Sequence, residues 1–402
     1  MSDTHAAASS LRHGTGYRDP PPARNRRPAK ACTVSCHTPP IMRRIIMTLV
    51  VFACAIHTDP CVAFDSEGSC RPLTPPARRT HTVVAMGDVM PGGSALRVYR
   101  VFGYHRAFGD ATIARLILHA DAAFCNLECP ATSASCRFPG KTFTFRTDRE
   151  AIRELRRAGF DLVSLANNHI LDFGVQGLLD TMATCSRYGL AYAGAGMTLD
   201  DAARPAIVHR HGIRYGLLAY SMTFPEEFWA TPGSPGTAHG QWETVRRDVA
   251  HVRPRVDVVL VSFHWGGELT GMPKKYQIDF AHHAIACGAD AVLGHHPHVV
   301  QPVEIYRSRP VFYSLGNFAF GSFSRSSTSG MAAEIFFTGS SPTKVVLYPL
   351  DVDNRRVQYR PSIADPPTAR KLLECLRELC EPYGTRVEIR GNIGRILIGH
   401  SR

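Results

Sequence analysis

Nowhere in the 402 residues do two cysteines form a C-x-x-C pair, although the chain holds 12 of them. Zinc ribbons and thioredoxin-like redox sites need that spacing, so both are set aside. Long hydrophobic runs are also missing. The longest, Ile45–Ile56, falls well short of the roughly 20 apolar residues that a membrane-spanning helix needs. No repeat of solenoid period is present. Neither a basic helix nor interleaved aromatic and basic residues occur, so the net charge of +12 is not the footprint of a nucleic-acid module. That charge is spread thinly: residues 1–63 carry 8 Lys/Arg against 3 Asp/Glu, and the remainder 38 against 31. A mildly basic body of this kind excludes nucleic acid as the expected partner and suits an anionic substrate or polymer. Hydrophobic residues at 44% and charged residues at 20% are ordinary for a chain with a sizeable core.

Residues 1–41 are rich in Pro, Arg, Ser and Ala without apolar periodicity, so they are expected to be disordered or a mis-annotated extension ahead of Met42. Residues 42–63 then have the layout of a secretory signal peptide. Arg43 and Arg44 precede the apolar stretch, and Cys61-Val62-Ala63 supplies small residues for cleavage. The plainer alternative is a buried apolar segment. Export to the periplasm or cell envelope is the expectation, with membrane anchoring if the segment stays uncleaved. In an oxidising compartment, Cys125, Cys129 and Cys136 are close enough in sequence to pair.

From residue 80 onward, strand and helix patterns alternate. "HTVVAMGD" (81–88), "AAFCNLE" (122–128), "DLVSLANNH" (161–169), "VDVVLVSFHWG" (256–266) and "DAVLGHH" (290–296) read as strands. Helices are predicted over 110–120, 148–159, 174–188 and 274–287, and a hairpin around His211-Gly212. Closely spaced strands follow in "PVEIY", "PVFYSLGNF", "MAAEIFF" and "KVVLYPLDVD", with a last helix over 367–380. The pattern predicts an α/β domain, 80–360, with a mixed sheet or two packed sheets, and residues 361–402 as a helix and tail packed on it.

The polar residues fall at the strand ends: Asp88, Asn126-Glu128, Asn167-Asn168-His169, His264 and the group His295, His296, His298. Ligands of open α/β sheets gather outside the carboxyl ends of the strands. Singly, each signal has a bland explanation: Gly87-Asp88 a turn, Asn167–His169 a helix cap, His264 a satisfied core histidine. Three crowded imidazoles are harder to explain, because each would need a buried partner and a dication supplies one to several at once. His296 and His298, two positions apart, point to one side if the segment is extended. A mixed His/Asp/Glu/Asn set suits one or two ions of Mn, Zn or Fe rather than a thiolate-selective metal.

The ordered series "GDVM", "NLECP", "NNHILDFG", "HWGGE", "GHHPH" and "SLGNF", over about 82–320, resembles the CapA family of poly-γ-glutamate capsule synthesis proteins. That family is similar to the calcineurin-like metallophosphatases. The resemblance implies a four-layer α/β/β/α sandwich, a two-metal centre and a capsule or envelope polymer role. It implies metal ligands at Asp88, Glu128, Asn168, His264, His296 and His298. His169 would act on the leaving group, oriented by Asp172, and His295, Glu268 and Asn317 would contact substrate. Two departures stand out: Met90 occupies the place of a metallophosphatase histidine, and Glu128 that of a bridging aspartate.

Two functions follow. One is an exported metal-dependent hydrolase or transferase acting on an anionic envelope polymer or a phosphorylated precursor, in contact with membrane capsule-synthesis machinery. The other is a non-catalytic accessory protein that binds such a polymer during its assembly or export. A metal that only staples the strand ends is a third, weaker alternative, since structural zinc sites are usually closed and cysteine-rich.

Overall fold

A computed structural model describes residues 80–322 and 325–399. They lie in one compact unit, Leu73–Arg402. The N-terminal extension, the segment read as an export signal and Cys70 lie outside the described residues. Among the described residues no helix is long and apolar enough to cross a membrane.

Period-2 alternation along Thr80–Met90 shows how the layers arise. Val83 and Ala85 face one way, Val84 and Met86 the other, and all four are fully buried. A strand buried on both faces needs a covering layer on each side. Val84 and Met86 pack with Ile152 and Leu155 of the helix Arg149–Arg157 and Leu178 and Cys185 of Gly174–Tyr188. Val83 and Ala85 pack against Leu217, Leu260 and Leu293 of a second sheet. The outer face of that sheet, with Leu218, Val261 and Phe263, is covered by Val245 and Val249 of Trp242–Val252 and Phe280 and Ala281 of Lys275–Ala286. Helix, sheet, sheet, helix is thus the order of layers, the four-layer sandwich expected from the sequence.

Both sheets are mixed. In the first, Thr80–Met90, Ala122–Leu127, Leu162–Ser164 and Ala191–Ala193 run parallel, and antiparallel Ser329–Thr338 and Ser341–Asp351 extend it on the other side. In the second, Ile213–Ser221, Val258–His264, Ala291–His295 and Arg309–Phe312 are parallel, flanked by Ala206–Arg210 and Val303–Tyr306.

Three expectations need correction. "PVFYSLGNF" is two strands, Arg309–Phe312 in the second sheet and Asn317–Phe320 in the first. The break comes at Gly316, whose φ of 68° is in the left-handed region that glycine adopts freely. Residues 361–402 are more than helix and tail: Glu388–Arg390 and Ile393–Leu397 add two strands to the first sheet, and Pro366–Cys380 sends Leu373 and Leu376 between the sheets. Finally, Cys125, Cys129 and Cys136 are unpaired, as is every described cysteine.

Candidate metal centre

The parallel strands of both sheets end at the same edge, and the site is assembled there. Thr80–Met90 carries Asp88, fully buried. The ladder shifts register around this residue on both sides, and such bulges re-aim side chains. Gly87 is indispensable to it, since a Cβ there would lie 2.0 Å from Gly316 O. This close approach lets Asp88 N–H donate to Gly316 O at 3.0 Å and seats Asn317 opposite Asp88.

Asp88 accepts from Asn126 Nδ2 at 2.9 Å through Oδ1, and its Oδ2 lies 3.2 Å from His298 Nδ1 and accepts from His296 N–H. Burial pushes this carboxyl up, but the His298 hydrogen bond and the charges of His295 and His298 outweigh it and hold the pKa low. Glu128, just past Ala122–Leu127, is also fully buried. Its Oε2 accepts from Asn126 Nδ2 at 3.3 Å, while Oε1 has no hydrogen-bond partner and lies 3.6 Å from both His264 Nε2 and His298 Nε2. Burial, then the Asp88 charge, pushes its pKa well above the carboxylate range.

His264 closes the strand Val258–His264, with Asn168 Oδ1 at 2.9 Å from its Nε2. Its ring stands 4.7 Å from that of His296, whose buried Nδ1 also lacks a partner. Burial lowers both imidazoles, His296 to about 3 with help from the His298 charge. For His298, burial is outweighed by the hydrogen bond to Asp88, and its pKa is raised. His298 Nδ1 is also 2.9 Å from Asn317 Oδ1. The segment is not extended as expected: His296 and His298 have φ of 94° and 58°, yet their rings still converge at 5.9 Å.

Three donor groups result: Asp88/Glu128/His298, Glu128/His264/His296 and Glu268/His296/His298, each with ligand atoms within 4.8 Å of one another. The donor set fits a divalent cation. Oxygen and imidazole nitrogen are the ligands of Mn, Zn and Fe(II), and two buried atoms, Glu128 Oε1 and His296 Nδ1, have no other partner. Met90, two residues past Asp88, is buried and carries only a thioether.

His169 borders the same space. Its Nδ1 lies 2.7 Å from Asp172 Oδ2, and the fully buried Asp172 also accepts from Phe145 N–H at 2.6 Å. Burial pushes His169 below the ordinary imidazole value, with Asp172 opposing. Lys141 reaches in as well, with Nζ donating to Asn168 O and Asp172 Oδ1 and lying 3.1 Å from His169 Nδ1. A cavity of about 410 Å³ opens over these groups, lined among others by Lys141, Phe143, His169, Glu268, His298 and Asn317.

Of the residues expected from sequence, Asn168, His169, Glu268, His298 and Asn317 line this cavity, and Asp88, Glu128, Asp172, His264 and His296 are bonded or grouped with them, whereas His295 is turned away. It continues the inward alternation of Ala291 and Leu293, so its ring sits between the sheets, edge-on to Phe124. Its nitrogens lie 3.2 Å from Leu293 O and 3.3 Å from Met86 O. It is a core histidine, not a substrate contact. Two residues carried no expected role: Asn126, whose amide links Asp88 to Glu128, and Lys141, a single lysine in a loop with no sequence signal.

The family model "Bacterial capsule synthesis protein PGA_cap" matches residues 82–322. A Bacillus subtilis protein named "PGA biosynthesis protein CapA" is 30% identical over 237 residues, 58% of this chain and 62% of its own length. A Mycobacterium tuberculosis "Probable polyglutamine synthesis accessory protein" is 34% identical over 212 residues, covering 49% and 55%. This chain therefore spans less than two thirds of either relative. Among solved structures, a 5'-nucleotidase precursor from Thermus thermophilus aligns at 13% identity and a TM-score of 0.42, over 75% of this chain and 59% of its own. With the matched region enclosing every donor residue of the site, the chain belongs to the bacterial capsule synthesis protein family PGA_cap.

Proposed function

We propose that this protein is an exported, metal-dependent hydrolase or transferase of capsule or envelope polymer synthesis, acting on an anionic polymer of the poly-γ-glutamate type or its phosphorylated precursor. The observation that carries the reading is the pair of buried, partnerless donor atoms, Glu128 Oε1 and His296 Nδ1, next to the His169–Asp172 pair. A staple for the strand ends would need the former but not the latter.

Asp88, Glu128, Asn168, His264, His296 and His298 would hold the cation, one ion or two. When bound, it supplies Lewis-acid polarisation of a substrate oxygen. The remaining work falls to side chains. The short contact to Asp172, with His169 Nδ1–H donating to the carboxylate, leaves Nε2 to exchange a proton with the leaving oxygen or nitrogen. Asn317 holds His298 through Nδ1 and so fixes which nitrogen turns to the floor. Phe143 and Phe145 line the cavity and give it apolar surface beside the polar groups.

The test combines metal analysis by mass spectrometry with phosphodiesterase and γ-glutamyl hydrolase assays. His169→Ala is expected to keep its metal and lose about 10²–10⁴-fold in turnover. A second reading, polymer binding without catalysis, draws on the word "accessory" in the mycobacterial relative's name. It prevails if the metal-loaded wild type turns over no envelope substrate and His169→Ala binds polymer normally. Export is supported by the residue pattern of 42–63, and protein made from Met42 should be recovered outside the cytoplasm, cut near Ala63. Full-length protein confined to the cytosol would refute it.

A further inference from the structure

Two of the three donor groups lie at the buried floor of the cavity and share Glu128. The third differs. Glu268 is exposed and stands at the mouth, yet its carboxylate lies within 4.8 Å of ligand atoms on His296 and His298. The loop that carries it, between Val258–His264 and Lys275–Ala286, is bonded along the histidine segment. Trp265 N–H donates to His295 O at 3.1 Å, Leu269 N–H to Pro297 O at 2.9 Å, and Gln301 Nε2 to Thr270 O at 2.7 Å. The central bond lands on the residue between the two histidines. Leu269 takes a φ of 59° to make it, a conformation that a leucine adopts only when its surroundings impose it. Glu268 is therefore placed against His296 and His298 by its backbone.

The two histidines it meets offer imidazole nitrogen, and His296 Nδ1 is buried without a hydrogen-bond partner. Carboxylate and imidazole together suit a divalent cation such as Mn, Zn or Fe(II). Three protein ligands and one open position is the arrangement of a reactive metal site.

We propose that Glu268 is a metal ligand rather than the substrate contact expected from sequence: its carboxylate joins His296 and His298 in holding a divalent cation from the solvent side, in the place that an anionic group of the substrate takes on binding. This rests on the reading that the floor holds a cation. An exposed carboxylate loses little hydration on leaving, so it can be exchanged for a substrate carboxylate or phosphate where a buried one could not.

The experiment titrates the full chain, stripped of metal, with Co²⁺, following its visible absorption and the bound stoichiometry. Glu268→Gln, a nearly isosteric change at an exposed position, should weaken one Co²⁺ by at least tenfold and alter its spectrum. Glu268→Asp should recover part of the loss, and added acetate should restore the spectrum of Glu268→Ala by supplying the missing carboxylate. If Glu268→Gln binds Co²⁺ with wild-type affinity and spectrum, the proposal is overturned and the floor reading stands. A wild-type protein that takes up no Co²⁺ overturns the floor reading, and the ligand role with it.

Discussion

His295 and His296 are adjacent, and strand geometry gives them opposite roles. His295 ends the ladder facing inward, its ring nitrogens beside two backbone carbonyls of which a neutral imidazole bonds one, whereas His296 turns at positive φ into the site with one nitrogen unmatched. Substitution should separate them. His295→Ala leaves a cavity beside Phe124 and unbonded carbonyls, and is expected to cost about 2–4 kcal/mol with metal content unchanged. His296→Ala should lower metal content while the metal-free protein melts near the wild-type temperature. Thermal denaturation with parallel metal analysis reads both, and a His295→Ala protein that folds normally but binds no metal would contradict the assignment. Which of three neighbouring histidines turns inward depends on a register that sequence does not print. Donor type is legible from composition at the strand ends, and Asp88, Glu128, His264, His296 and His298, all named there, are side chains that the structure brings together. Lys141 was not, because its role comes from a loop folding over Asp172.

At the scale of the element, the site depends on a kink in Thr80–Met90 and on a crossover that returns the chain from one sheet to the other. Both run through glycines. A Cβ at Gly87 would collide with a backbone oxygen, which cannot move aside as a side-chain tip can. Gly87→Ala should therefore destabilise the fold by about 1–3 kcal/mol and displace Asp88, lowering metal affinity as well. Gly233, with open space around it, is the control and should tolerate Ala with little change. Equal stability of the two variants would show that the kink is not needed. The alternation of strand and helix before residue 300 was readable because each buried parallel strand is a continuous apolar run ending in polar residues, and the helices carry their own period and stop signals. Beyond 300 the pattern blurs. "PVFYSLGNF" carries apolar residues along its whole length, so little marks the place where it leaves one sheet for the other except Gly316. Glu388–Arg390 and Ile393–Leu397 were missed because an edge hairpin that is half exposed carries no strong apolar alternation.

For the whole molecule, the sign of the charge at the site opposes the sign of the body. Beyond residue 63 basic residues outnumber acidic ones by 38 to 31, which draws polyanions in from a distance, with a range set by salt. Within the cavity and its floor the balance is reversed: Asp88, Asp172 and Glu268 face Lys141, which is bonded to Asp172, and His298, which is paired with Asp88. Two like charges 4 Å apart repel by about 4 kcal/mol in a partly buried setting, so Glu268 opposes the entry of a polyanion into the metal-free site. One or two dications reverse that field. Polymer binding and metal binding should therefore be coupled, and each should stabilise the fold, by about 2.7 kcal/mol for a metal at a hundred times its dissociation constant. Chelation is expected to lower the melting temperature and to abolish retention of a poly-γ-glutamate chain at moderate salt, with Mn²⁺ or Zn²⁺ restoring both. Acidification should mimic chelation, because protons compete with the cation for the imidazole nitrogens and carboxylates. Polymer held equally by loaded and stripped protein would mean that it binds the basic exterior, and that the cavity is not where the chain is recognised.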